Sequence, residues 1–359
     1  MTPNKRLLLG ATLSLCVLSC GPASTEPAEN QATEMPDMSK ATCDTDPPHD
    51  RCSASPDTYN DWSPSSIVSE IRFIDDDSCC FDIDGDGQND NALGDLLEIA
   101  ASAGVNIDGF NESVAQSIED GTVALLAEHH HIAEEGGEFS INYYLGIPDG
   151  GFTAPVAEGG NAYKIDRGSL SAKGIWPSAR MNEASHDGAN VIAGPGVVSI
   201  STDLLGPPIT LDIEAAQLTA EIDPAASDFD AKGIALTNGA LGGAVRASEI
   251  FDAINSAYTE NCGCAPIAGG EPFISYDVAA LDETSCSVPD NDTSACEEDS
   301  LCTSIYDLCG FVGLTDRVVD IDADDPQSNC KANGTCNAIS LGTTFRTYGA
   351  KITGITSAQ

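Results

Sequence analysis

Ile209-Thr210-Leu211-Asp212-Ile213 and, after Glu214-Ala215-Ala216, Gln217-Leu218-Thr219-Ala220-Glu221-Ile222 alternate apolar with polar side chains. A period of two is the signature of a strand with one face buried. The same pattern recurs on either side, in Val123 to Ala127, Phe139 to Leu145, Val197 to Leu204 and Gly233 to Leu236, with Gly, Pro and Asp breaking the chain between runs. Many short strands separated by turn residues predict an antiparallel sandwich or barrel. Ile67 to Ile74 reads as a strand that opens the ordered body, and Thr343 to Ile355 as one that closes it. Helical spacing appears in Ala92 to Ala103, Asp108 to Ile118, Val245 to Tyr258 and around Ser300 to Leu308. The expected fold class is therefore α+β and β-dominated, a single domain over 65–359 with a few flanking helices.

Charge narrows the partners. The 359 residues hold 57 Asp plus Glu against 15 Lys plus Arg, a formal charge of −42. Such a surface repels phosphate backbones, which excludes nucleic acid as an expected partner. Because 41% of the residues are hydrophobic, the acidity belongs to a folded surface and not to a disordered tail.

Met1 to Cys20 runs from Lys5-Arg6 through the apolar stretch Leu7 to Leu18 into Ser19-Cys20-Gly21, the order of charge, apolar core and cleavage site in a secretory signal. Leu18-Ser19-Cys20 resembles the bacterial lipobox. That resemblance implies a signal peptide over 1–19, acylation of Cys20 and a lipid anchor in the cell envelope, with the outer membrane favoured because Gly21 is not Asp. From 20 to 64 the chain is rich in Pro, Ser, Thr and acidic residues, and it is expected to be a disordered tether.

Removing Cys16 with the signal and Cys20 by acylation leaves twelve of the 14 cysteines, a number that can pair completely. These are Cys43, Cys52, Cys79, Cys80, Cys262, Cys264, Cys286, Cys296, Cys302, Cys309, Cys330 and Cys336. In an oxidising compartment they form disulfides. The expected local bridges are Cys43 with Cys52, Cys302 with Cys309, and Cys330 with Cys336. Adjacent Cys79 and Cys80 are expected to take separate distant partners, with Cys262 and Cys264 as candidates, because a bridge between neighbours distorts the peptide.

Asp82-Ile83-Asp84-Gly85-Asp86-Gly87-Gln88-Asn89-Asp90 carries the most specific chemistry. Alternate carboxylates around a glycine turn supply the oxygens that calcium, a hard cation, requires. Asp82, Asp84, Asp86, Gln88 through its backbone oxygen, and Asp90 occupy the first, third, fifth, seventh and ninth positions of a loop that resembles those of EF-hands, dockerins and thrombospondin type 3 repeats. The twelfth position is Leu93 where an EF-hand has Glu, which limits the resemblance to a half-site. Asp320, Asp322 and Asp324 repeat the alternation over 320–325 as a weaker second loop, with Asp325 where the glycine should stand. Calcium is the one expected cofactor.

His129, His130 and His131 form the other conspicuous cluster. In an extended chain His129 and His131 share a face suited to zinc or copper, with Glu128 and Glu134 nearby. An exposed polar strand end is the more economical reading. No nucleophile elbow, zincin motif, phosphate loop or dinucleotide fingerprint occurs, which weighs against a familiar enzyme.

Taken with Cys79-Cys80-Phe81 before the first loop and Leu236-Thr237-Asn238-Gly239-Ala240-Leu241-Gly242-Gly243 before the helix ending at Cys262-Gly263-Cys264, the body resembles uncharacterised secreted lipoproteins of myxobacteria. The expectation is a lipid-anchored envelope protein with a structural or ligand-binding role, stabilised by calcium and disulfides. The alternatives are an envelope carrier of an apolar ligand or lipid and a secreted hydrolase of unfamiliar motif.

Overall fold

The computed structural model describes residues 43, 49–74, 79–102, 107–151, 154–171, 174–202, 209–230, 233–277, 280–287, 296, 302 and 318–357. Cys20, Cys309 and the helix expected around Ser300 to Leu308 lie outside the described residues.

The alternating runs are strands. They are β1 (Ser65–Phe73), β2 (Leu125–His130), β3 (Gly137–Pro148), β4 (Asn161–Ile165), β5 (Ala179–His186), β6 (Asn190–Thr202), β7 (Ile209–Ile222), β8 (Leu236–Arg246) and β11 (Ala338–Ile355), with a separate hairpin of β9 (Ile274–Asp277) and β10 (Ala280–Cys286). Eight of them pair antiparallel in the order β1-β2-β3-β5-β6-β7-β8-β11, and β11 returns to β1. The sheet is thus a closed barrel with no free edge among these eight strands, and each of the eight lies beside the one that precedes it within this set. β4 bridges the overhanging ends of β3 and β11, antiparallel to one and parallel to the other.

Period two then sorts the side chains. Leu125 and Ala127 of β2 join Phe139, Ile141 and Tyr143 of β3 and Leu218, Ala220 and Ile222 of β7 in the main apolar cluster inside the barrel. Leu126 and Tyr144, one position away, join an outer cluster with Tyr163, Ile165 and Ile352. β1 departs from strict alternation because its register shifts between Val68 and Glu70. The bulge places Val68 and Ile71 together inside, while Ile67 faces outward. An eight-stranded barrel is wide enough for side chains to fill or for one small ligand. Here side chains fill it, leaving a cavity of about 30 Å³ lined by residues such as Leu125, Ile141, Val198 and Phe345.

Insertions between barrel strands carry the helices. α1 (Ala92–Ser102) and α2 (Ile107–Glu119) lie between β1 and β2, α3 (Ala247–Asn261) follows β8, and the single turn α4 (Cys330–Asn333) precedes β11. Phe251 and Tyr258 of α3 are buried with Phe273, Ile274, Val318 and Val319 in a second cluster, where Tyr258 stacks on Phe273 with ring centroids 4.1 Å apart. Among the described residues no helix is long and apolar enough to cross a membrane.

Four disulfides join Cys43 to Cys52, Cys262 to Cys302, Cys264 to Cys296 and Cys330 to Cys336. Cys79 and Cys80 bridge each other. This corrects the expectation of distant partners, and with it the staple to Cys262 and Cys264. Cys302 is likewise committed to Cys262 and not to Cys309. The long bridges instead tie the end of α3 to the cysteine-dense segment, because Cys262 and Cys302 are both buried in the α3 cluster. Cys286 is also disulfide-bonded.

Candidate functional site

The Asp82 loop lies between β1 and α1 and is docked on the barrel wall. Gly242 of β8 makes the docking possible: a Cβ there would stand 2.6 Å from the Phe81 ring. Ile83 is buried at the centre of a small cluster with Ala244, Ile321 and Ala338. With its apolar residue anchored, the loop turns its acidic residues the other way. Gly85 and Gly87 have φ of 78° and 91°, the left-handed conformations that a Cβ would strain.

The carboxylates of Asp82, Asp84 and Asp86 converge, with one ligand oxygen from each inside a 4.8 Å group. Backbone amides brace them from behind. Gly87 N–H donates to Asp82 Oδ2 at 2.9 Å, Asp86 N–H to Asp84 Oδ1 at 3.0 Å, and Gln88 N–H to Asp86 Oδ1 at 2.8 Å. Asp82 Oδ1 is buried and has no hydrogen-bond partner. A buried carboxylate oxygen without a donor is costly unless a cation faces it. Asp90 serves the loop differently: its Oδ2 accepts from Ile83 N–H at 2.6 Å and Asp84 N–H at 3.2 Å, and burial pushes its carboxyl up despite those bonds. Three of the five expected ligands therefore share a focus, Asp90 closes the loop, and the Gln88 side chain leans on Asp86 at 3.3 Å.

The second acidic loop, expected as the weaker calcium site, arranges Asp320, Asp322 and Asp324 differently. Asp320 is buried and spends both oxygens on Ser340, accepting from its N–H at 2.8 Å and its hydroxyl at 2.5 Å. Burial pushes the Asp320 carboxyl up to about 6. Asp324 is paired with Arg246 at 2.8 Å. Asp322 Oδ1 accepts from Asp324 N–H at 3.1 Å. The loop supports the first one instead, since Gln327 donates from Nε2 to Ile83 O at 2.7 Å.

A second polar cluster joins the segment before β1 to the outer face of β2. His49 and Arg51, inside the stretch expected to be a tether, are 4% and 1% exposed, so the packed body begins well before residue 65. Arg51 crosses the outer face of β2 and grips Glu128 with two hydrogen bonds of 2.6 Å. Glu128 also accepts from Tyr144 at 3.1 Å, Asn142 at 3.1 Å and Ser63 N–H at 3.0 Å. Burial alone would raise this carboxyl, but the Arg51 hydrogen bonds and charge hold it down at about 2. Tyr59 and Trp62 stack over the guanidinium at 5.2 and 5.5 Å. Aromatics at 59 and 62 beside a closed cysteine loop are the signal that this stretch has something to pack against.

The histidines divide between the two sides of the wall. His129 is buried in the lining of the barrel cavity, where burial lowers it to about 4. Its Nε2 lies 2.6 Å from Ser66 Oγ, and that hydroxyl donates to Ile234 O at 2.7 Å. His129 is therefore the donor to Ser66, an arrangement that does not activate the serine as a nucleophile. His130 faces outward, and burial followed by the Arg51 charge lowers it to about 3. Its Nε2 meets His49 Nε2 at 3.2 Å. His131 is exposed and takes φ of 68°, which turns its ring beside that of His130 at 4.0 Å instead of placing it with His129. The favoured reading of an exposed strand end is corrected, since Glu128, His129 and His130 are buried; the alternative metal set of His129, His131, Glu128 and Glu134 is not brought together either, because Glu128 belongs to Arg51 and His129 to the lumen. His49, His130 and His131 converge in its place.

No known protein family, curated protein or solved structure matches the chain. The cysteine group Cys264, Cys296 and Cys302 is close because two disulfides lie side by side, and bridged sulfurs are poor ligands. An open groove of about 320 Å³ on β3, β5 and β6 is lined by Glu138, Glu183 and Ser185 among others. Among the described residues no histidine lines it.

Proposed function

We propose that this chain is a lipid-anchored lipoprotein of the cell envelope, a calcium-stabilised and disulfide-stapled barrel with a structural or ligand-binding role. The convergence of Asp82, Asp84 and Asp86 around the orphaned Asp82 Oδ1 carries the calcium reading. Calcium there would offset most of the charge of the three carboxylates and lock the loop that joins β1 to α1. The ion binds the folded loop and not the unfolded chain, so it stabilises by mass action, by about 2.7 kcal/mol at a hundredfold excess over Kd. Thermal melts in calcium and in EGTA test this: the midpoint rises with calcium, and an unchanged midpoint overturns the reading.

The anchor rests on Leu18-Ser19-Cys20 and the apolar run before it. Mass spectrometry of the N-terminal peptide from the producing cell tests it, since acylated Cys20 is the expected new terminus. The structural reading is preferred to an apolar carrier because the barrel cavity, about 30 Å³, has room for about one water and not for an acyl chain. It is preferred to a hydrolase because the short Ser66–His129 contact points the wrong way for catalysis and lies in the buried lining of the barrel.

A further inference from the structure

We infer that His49, His130 and His131 form a binding site for a transition-metal ion of imidazole preference, such as zinc, on the outer wall of the barrel. The inference is independent of the calcium loop and rests on the placement of the imidazoles.

His49 Nε2 and His130 Nε2 face each other at 3.2 Å. Two nitrogens at zinc–nitrogen distances of about 2.0–2.1 Å in a tetrahedral shell stand about 3.3 Å apart, so the pair already has the spacing of two ligands. The other ring nitrogens have partners of the kind that orient ligating histidines. His49 Nδ1 is 2.8 Å from Asp50 Oδ1, and His130 Nδ1 is 3.4 Å from Ser63 Oγ. Arg51 N–H donates to Asp50 Oδ1 at 2.8 Å and also to His49 Nδ1 at 3.2 Å; when a proton moves to Nδ1, the amide keeps its bond to the carboxylate, which then accepts from Nδ1 as well. With no ion, the facing imidazoles share one N–H between them. Binding moves that proton to an Nδ1, where Asp50 or Ser63 accepts it, and frees both Nε2 lone pairs.

The third ligand explains an unusual backbone. Among the described non-glycine residues only His131, Ala215 and Asn238 have positive φ. A strand continuing through His131 would send its side chain to the opposite face from His130. The left-handed turn brings a ligand nitrogen of all three histidines within 4.8 Å of one another. His131 is exposed, so its side chain can rotate to close the set and the fourth position stays open to water. Two constraints hold His49 in place: the Cys43–Cys52 bridge that encloses it, and the Trp176 ring 5.2 Å away.

The test is zinc titration of the intact, disulfide-bonded protein by calorimetry in saturating calcium, which keeps the Asp82 loop filled. One zinc per chain is expected. His49→Gln and His131→Asn should each weaken binding by more than about tenfold, the loss that even an outer-shell change produces at such sites. Asn tolerates the left-handed backbone, so the second variant keeps the fold. His186→Gln, outside the cluster, should bind as the parent does. Absence of stoichiometric zinc binding overturns the proposal, as does parental affinity in both His49→Gln and His131→Asn.

Discussion

Arg51 and Glu128 form a two-pronged ion pair, Nη1 to Oε2 and Nη2 to Oε1 both at 2.6 Å, with side chains 1% and 0% exposed. It fastens the N-terminal segment to the outside of β2 across 77 residues of sequence. Removing one member of a buried pair strands the other charge, so Arg51→Met and Glu128→Gln should each cost about 3–5 kcal/mol in urea unfolding. Replacing both with apolar residues should recover much of that loss. A double variant no better than the singles would show that the pair does more than satisfy itself.

The pair also sets an acid limit. Glu128 titrates near 2 in the folded protein against an ordinary value of 4.5. A depressed carboxyl contributes stability that is complete above the ordinary value and declines as pH falls toward the folded one. Acid unfolding of the parent should therefore steepen between those values. Glu128→Gln should flatten that part of the profile.

Asp320 has the opposite sign. Its folded value is about 6 against an ordinary 3.8, chiefly through burial. Between those values the unfolded chain ionises first, so stability falls as pH rises through the window. Asp320→Asn keeps an acceptor for Ser340 N–H and removes the charge. At fixed calcium it should raise stability at about pH 7 by about 1–3 kcal/mol, with little change at about pH 4. A uniform loss at both would mean that the Ser340 hydroxyl bond outweighs the buried charge.

At the first loop, paired alanines at Asp84 and Asp86 should abolish the calcium-dependent rise in melting midpoint while leaving the EGTA midpoint near that of the parent. Gly85→Ala should lower calcium affinity with all carboxylates present. Its φ of 78° strains a Cβ, which would also stand 3.0 Å from Gln327 Oε1. A parental calcium response in Gly85→Ala would release the turn from its assigned role.

The barrel interior should behave as a packed core. Met181 is fully buried in the main cluster, and Tyr143 Oη donates to its sulfur at 3.6 Å. Met181→Ala should cost about 2–5 kcal/mol, read from thermal or urea unfolding. A cost near zero would mean that the lumen is loosely filled and would revive the carrier reading.

Local pattern made much of the fold legible. The period of two marked β2, β3, β7 and the second half of β6, and helical spacing marked α1, α2 and α3 within a few residues of their observed ends. β5 escaped because Met181 is the one large apolar side chain in Ala179-Arg180-Met181-Asn182-Glu183-Ala184-Ser185-His186, with only Ala179 and Ala184 beside it in the core, so the run shows little apolar contrast. β7 looks like two runs in the sequence because Glu214-Ala215-Ala216 is a bulge, with Ala215 at φ of 49°, inside one continuous strand.

The sequence by itself determined the β-dominated class, the acidic surface, the even cysteine set and the Asp82 loop, because each is written in neighbouring residues. Tertiary structure alone decided barrel over sandwich, since that choice rests on β1 meeting β11 across nearly the whole chain and no local signal encodes a pairing of such separation. It also decided which equal-looking residues do different work. Asp82 and Asp320 open similar motifs, yet one keeps an unpartnered oxygen and the other gives both oxygens to Ser340. Adjacent histidines part at the barrel wall, His129 inward and His130 outward, and the latter finds its partner in a segment that composition alone assigned to solvent. Burial and pairing are properties of the assembled chain, and composition reports only what is available to be buried.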